Sequence, residues 1–243
     1  DVIDVRVTRK KSRYMEGVAL AVTTPSPERT TPPCGHFGIC GGCRWQHLPY
    51  DKQLFYKEKQ VRDNLTRIGH LSVPVVNPIV GSEKSYRYRN KLEFTFAERR
   101  WITREEAGSD QKFEKRPALG FHVPGIYDKV LDINECLLME EPSNAIKNEV
   151  RRYAIAKGLQ FYDQRDHTGF LRNLIVRITT TGEVMVVLVT AYGEDEERER
   201  LLGHLAAQFP GITSLWYVTN TKKNTSLSDQ TPVHHSGSLY TTE

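Results

Sequence analysis

The sequence predicts an α+β protein: the end of a small β-barrel-like module, then a mostly antiparallel sheet domain with helices and a four-cysteine loop. Three observations carry that prediction. Short runs alternate apolar and polar residues with period two, three longer stretches place apolar residues at helical spacing, and three of the four cysteines crowd into CGHFGICGGC at residues 34–43.

Val5 and Val7, then Val18, Leu20 and Val22, alternate with polar or small neighbours, so 2–8 and 14–23 read as two strands. Two strands alone do not make a stable domain, and they read as the end of a β module covering 1–24. TTPSPERTTPPC at 23–34 holds four of the twelve prolines and reads as an extended connector into a central domain over 25–243. Tyr50 to Ile68 carries Leu54, Val61, Leu65 and Ile68 at helical spacing, with Asp51 as N-cap and Gly69 as the stop. Residues 73–80 and 86–98 are rich enough in β-branched and aromatic side chains for strands, and the polar run 98–117 reads as a surface insertion in a hairpin. Strands follow near 118–123 and 128–133, placing Cys136 just past a strand end. A helix is predicted over 143–157, with Ile146, Val150 and Tyr153 on one face and Gly158 closing it. LIVRITT and EVMVVLVTA form the clearest hairpin, turning at Thr181 and Gly182. Residues 194–209 read as an amphipathic helix through Leu201, Leu202, Leu205 and Phe209, and ITSLWYV as a last strand.

Composition is that of an ordinary globular chain, 38% hydrophobic and 26% charged. No apolar run is long enough for a membrane span and the start lacks a secretory signal, so the expected setting is the cytoplasm, without a membrane partner. A monomer is the expected form. The net charge of +4 is modest, but its distribution is not. Arg6, Arg9, Lys10, Lys11 and Arg13 crowd the start, while Arg87, Arg89 and Lys91 run among Tyr86, Tyr88, Phe94 and Phe96. Cations interleaved with aromatics suit phosphate contacts and base stacking, making Arg87, Arg89, Lys91, Phe94, Arg9 and Lys11 the candidate RNA contacts. Solvated strand faces over an aromatic core would leave the same pattern. Phosphate-binding loops of the GxGxxG and GxxxxGK[ST] kinds and the GxSxG nucleophile motif are missing, and His234 and His235 sit in a polar tail that reads as solvated.

Cys34, Cys40, Cys43 and Cys136 are the whole cysteine complement. In a reducing compartment close thiol spacing favours metal over disulfides. Structural zinc usually takes two CxxC knuckles, whereas three close thiolates plus one distant one suit an iron–sulfur cubane; spacing alone leaves both open. Gly35, Gly38, Gly41 and Gly42 would let the loop wrap a centre and turn backbone N–H groups toward sulfur. His36 and His47 read as hydrogen-bonding rather than ligating residues, since four thiolates already fill a shell.

SPERTTPPCGHFGICGGCRWQHLPYDKQLFYKEKQV, YRYRNKLEF, GFHVPGIYDKVLDINECLL and FLRNLIVRITTTGEVMVVLVT, in that order, resemble the bacterial 23S ribosomal RNA uracil-5-methyltransferases that contain an iron–sulfur cluster. The resemblance runs through nearly the whole chain. It implies that Cys34, Cys40, Cys43 and Cys136 hold a [4Fe-4S] cluster, with zinc the alternative, and that residues 1–24 end a TRAM domain, an OB-like RNA-binding β-barrel. It also implies 23S rRNA as partner and S-adenosylmethionine as methyl donor. The family adds a cysteine thiolate to C6 of uracil so that C5 can take the methyl group, and here every cysteine is already committed. The nucleophile, the base and the S-adenosylmethionine pocket are therefore expected in a catalytic domain after Glu243. On that reading the present residues are inactive alone, and the helix from Tyr50 packs on the missing domain. A stand-alone metal-stapled RNA-binding module is the alternative function, and a ferredoxin-like redox protein a more distant one.

Overall fold

The computed structural model describes residues 1–243 except 73–74, 110–115, 193 and 243. The chain forms two compact units, Asp1–Gly35 with Trp45–Glu83, and His36–Arg44 with Lys84–Glu243. The boundary expected after residue 24 is therefore not where the contacts divide. The connector and the helix that follows the cysteine loop cluster with the first two strands.

In the first unit, β1 (Val2–Lys10) and β2 (Met15–Thr24) pair antiparallel. Every residue of both strands is exposed, because a two-stranded ribbon has no second layer to bury its apolar alternation. Helix α1 (Tyr50–Asp63) runs into a π-helical turn at Asn64–Ile68. Its N-cap is Pro49 rather than Asp51, which falls in the first turn. Gly69 ends the π turn at φ −77°, so the stop needs no left-handed glycine. The apolar stripe predicted for this helix forms but is poorly covered: none of its residues is buried, and Val61 and Ile68 are exposed. Residues 75–80 have no regular structure, contrary to the strand expected there, and 73–74 lie outside the described residues.

The second unit is built on a seven-stranded sheet, in the order β5-β4-β3-β6-β7-β8-β9. Its strands are β3 (Lys91–Ala97), β4 (Ala118–His122), β5 (Val130–Asp132), β6 (Leu171–Ile178), β7 (Val184–Thr190), β8 (Ile212–Thr219) and β9 (Val233–Gly237). All pairings are antiparallel except β7 with β8, which are joined through helix α4 (Asp195–Gln208). A parallel neighbour needs such a crossover. Helix α3 (Ser143–Ala156) packs with α4, and Gly158 closes α3 at φ 66°, as predicted. A short helix α2 (Arg104–Ala107) lies within the 98–117 run, of which 110–115 are outside the described residues.

Period two sets the two faces of this sheet. Leu92, Phe94, Phe96, Leu174, Val176, Val186, Leu188 and Leu215 join Ile146 and Val150 of α3 and Leu201, Leu202 and Leu205 of α4 in one buried cluster. Lys91, Glu93, Ile175, Arg177, Met185, Val187 and Trp216 alternate onto the opposite face, where they line a cleft. Three expectations change here. The strand predicted from 86 begins at Lys91, because Arg87 takes φ 55°, outside strand geometry. Two shorter strands shrink to β4 and β5. The tail holding His234 and His235 is an edge strand, with His234 at 4.9 Å from the Trp216 ring and His235 Nε2 at 3.3 Å from the Glu199 carboxylate. Its polar residues pair laterally with β8, which alternation of apolar residues could not reveal. Among the described residues, no helix is long and apolar enough to cross a membrane.

Candidate metal centre and basic strip

The cysteine loop is a run of turns. The N–H groups of Ile39 and Cys40 both donate to the carbonyl of His36, at 3.3 and 2.9 Å, and Gly38 takes φ 91°. A Cβ on Gly41 would lie 2.8 Å from the carbonyl oxygen of His122, so only glycine lets the loop approach β4 this closely. Gly42 N–H points at Cys40 Sγ, 3.4 Å away, the backbone-to-sulfur contact anticipated from the glycines. The N–H of Cys34 donates to Gln46 Oε1 at 3.4 Å.

Cys136 is buried in the main core, and Cys40 and Cys43 pack against the same cluster. Asn144 and Lys147, not singled out from sequence, and His36, expected to be a hydrogen-bonding residue, hold the Cys136 segment. Asn144, in the first turn of α3, accepts from Cys136 N–H at 2.7 Å and donates to Cys136 C=O at 3.3 Å. His36 Nε2 accepts from Asn134 N–H at 3.2 Å, which ties the loop to this segment. Burial, and then the nearby Lys147 charge, push the His36 pKa down, favouring the neutral ring that acceptance requires. Lys147 is fully buried and donates to Ile133 C=O; burial first, then Arg151, bring its pKa down to about 7, against the pull of Asp132 and Cys136. A lysine interrupting the apolar Ile146 and Val150 face was the sequence signal for it.

The donor chemistry fits a thiolate-held centre: three sulfurs share one core and a backbone N–H faces one of them. The side chains as placed do not form its shell. Among the described residues, no group of three or more His, Cys, Asp or Glu stands ready to hold a metal ion.

Of the candidate RNA contacts, Arg87 and Arg89 lie exposed just before β3, their N–H groups donating to the carbonyls of Leu137 and Leu138 at 2.9 and 2.8 Å. Their strip is thereby joined to the segment after Cys136. Arg87 also pairs with Glu140 at 3.2 Å, an exposed bridge of small energetic weight. Lys91 opens β3 and lines the cleft. Arg9 sits on β1, 3.9 Å from Glu16, and exposed Lys11 follows it in the hairpin turn, donating its N–H to Tyr14 C=O. Phe94 is a correction. It is completely buried, its ring stacked on Phe121 at 5.2 Å, so it serves the core and has no face for a base.

A relative from Bacteroides thetaiotaomicron, described as an uncharacterized RNA methyltransferase, is 48% identical over 232 residues, which are 94% of this chain and 51% of that protein. Another so described, from Porphyromonas gingivalis, is 45% identical over 248 residues, 100% of this chain and 53% of its own. The chain is thus similar to part of proteins described as RNA methyltransferases. It spans about half the length of these curated relatives. No protein-family model matches it. Its fold is similar to that of the Pyrococcus abyssi tRNA (uracil-54, C5)-methyltransferase solved with S-adenosyl-L-homocysteine, with a TM-score of 0.56 over 91% of this chain and 46% of that one. At 24% identity that likeness concerns the fold alone.

Proposed function

We propose that this chain is the RNA-recognition portion of an S-adenosylmethionine-dependent RNA (uracil-C5)-methyltransferase, with 23S rRNA as its substrate. The 48% identity to an RNA methyltransferase over 94% of the chain carries the proposal. The cysteine and YRYRNK motifs, by their resemblance to the ribosomal uracil-C5 enzymes, support the reaction class and favour the ribosomal substrate over tRNA. Extracting a base from folded RNA costs a few kcal/mol, and that energy has to come from contacts remote from the reacting carbon. Arg87, Arg89, Lys91, Arg9 and Lys11 supply such contacts on this reading. The two exposed strands of the first unit are the end of a TRAM barrel, and methyl transfer belongs to the half of the relatives that this chain does not span.

On the same reading Cys34, Cys40, Cys43 and Cys136 would hold a [4Fe-4S] cluster, with zinc as the alternative metal. A centre closed by four thiolates supplies structure rather than a reactive site. The test is methyl transfer from labelled S-adenosylmethionine by the full-length protein, offered 23S rRNA and tRNA transcripts separately. Formation of 5-methyluridine in 23S rRNA is expected. Methylation of tRNA alone would reassign the substrate, and no methylation of either would overturn the function. Iron, sulfide and zinc analysis of anaerobically purified protein tests the metal.

A further inference from the structure

On the sheet face opposite α3 and α4 lies a cleft of about 510 Å³, floored by Ile175 and Val187 and flanked by Trp216. That volume is in the range of small-molecule sites, enough for one or two nucleotides. Lys91 of β3 is the direct cross-strand partner of Arg177 of β6, both are exposed, and both border the cleft. Like charges placed opposite each other weaken a sheet. Among the described residues neither cation has an acidic partner, and Glu93, the next residue of β3 on this face, has no cationic one. The fold thus tolerates an unneutralised cation pair beside an apolar floor.

Trp216 is held rigidly. Its Nε1–H donates to Ser214 Oγ at 2.6 Å, that hydroxyl donates to Ser238 C=O at 2.7 Å, and the His234 ring lies 4.9 Å from it at 67°. The loop that supplies Thr225 and Leu227 to the rim is also fixed. Buried Arg172 donates to the carbonyls of Asn220, Lys222 and Asn224, while its guanidinium stacks on Tyr162 at 4.3 Å.

We propose that this cleft seats an unstacked base of a single-stranded RNA segment, with Trp216 as the stacking surface, Lys91 and Arg177 on the flanking phosphates, and Glu93 accepting from a base N–H. A preformed aromatic beside paired cations is the arrangement that binds single strands with little sequence preference, and the acceptor adds a bias toward bases presenting an N–H edge. The inference rests on the RNA-recognition reading above.

The test is fluorescence anisotropy of a labelled octauridine titrated with the full-length protein and its Trp216→Leu and Arg177→Glu variants. Trp216→Leu should weaken binding about tenfold, the loss of one stacked base. Arg177→Glu should weaken it several-fold and reduce the salt dependence by about one phosphate contact. Arg177 is exposed, so that variant carries the test if Trp216→Leu melts at room temperature. Unchanged affinity and salt dependence in folded variants would overturn the seat while leaving RNA methylation standing. Loss of S-adenosylhomocysteine binding without loss of RNA binding would reassign the cleft to the methyl donor and also overturn it. Absence of 5-methyluridine formation by the wild type would instead overturn the function, independently of the cleft.

Discussion

One side chain grips both backbone polar groups of Cys136: Asn144 Oδ1 accepts its N–H at 2.7 Å and Asn144 Nδ2 donates to its C=O at 3.3 Å. Both partners are buried, so neither backbone group has water to turn to if the amide is removed. Asn144→Ala should therefore cost about 2–4 kcal/mol, through the loss of two hydrogen bonds at buried backbone groups. Urea denaturation measures it. A loss below about 1 kcal/mol would show that the clamp is dispensable.

On the cluster reading proposed above, Cys136→Ser should abolish iron and sulfide binding and lower the melting temperature of the second unit, since losing a ligand removes binding free energy that is also folding free energy. Metal analysis and thermal melting of the same preparation check it. Full iron content with an unchanged melt would remove Cys136 from the ligand set.

Gly41→Ala brings a methyl carbon to 2.8 Å from the His122 carbonyl oxygen, a distance that forces the loop away from β4. Destabilisation of about 1–3 kcal/mol is expected, with faster amide exchange in residues 36–44. The comparison is Gly35→Ala, where a Cβ meets nothing within 4 Å.

Arg172→Met leaves the carbonyls of Asn220, Lys222 and Asn224 without their buried donor. A loss of about 2–4 kcal/mol is expected, concentrated in residues 220–227. Hydrogen exchange would register that loop opening before the rest of the sheet.

Glu149 links α3 to α4, bonded to Arg152 on its own helix and to His204. Arg152 does most to hold its carboxyl down at about 2, burial works against this, and His204 adds to it. Because the folded pKa lies below the ordinary value of 4.5, the stabilisation is complete above 4.5 and fades as pH falls toward about 2. Melting temperatures of wild type and Glu149→Gln should converge across that window. A gap that stays constant from pH 6 to pH 2 would contradict the assignment.

Local pattern carried far where it was regular. The alternations LIVRITT and EVMVVLVTA, and the helical spacing of Ile146 and Val150, became the β6–β7 hairpin and α3 because each segment's periodicity names its own buried face. The same reasoning failed where backbone chemistry outweighed pattern: aromatic and cationic residues from 86 suggested a strand, yet positive φ at Arg87 delays it to Lys91. It failed again at β9, whose polar residues are ordered by pairing with β8.

The sequence by itself determined the α+β class, the crowding of the cysteines and the basic character of residues 87–91, since these follow from residue type and spacing along one dimension. Only the tertiary structure decided that Phe94 is core, that Lys91 faces Arg177 across two strands, and that Asn144 and His36 brace the Cys136 segment. Those facts depend on strand register and on how loops and helix ends come together, and neither the distant pairing of Lys91 with Arg177 and His36 with Asn134 nor the turn that brings Asn144 back to Cys136 leaves a periodic trace in a single chain.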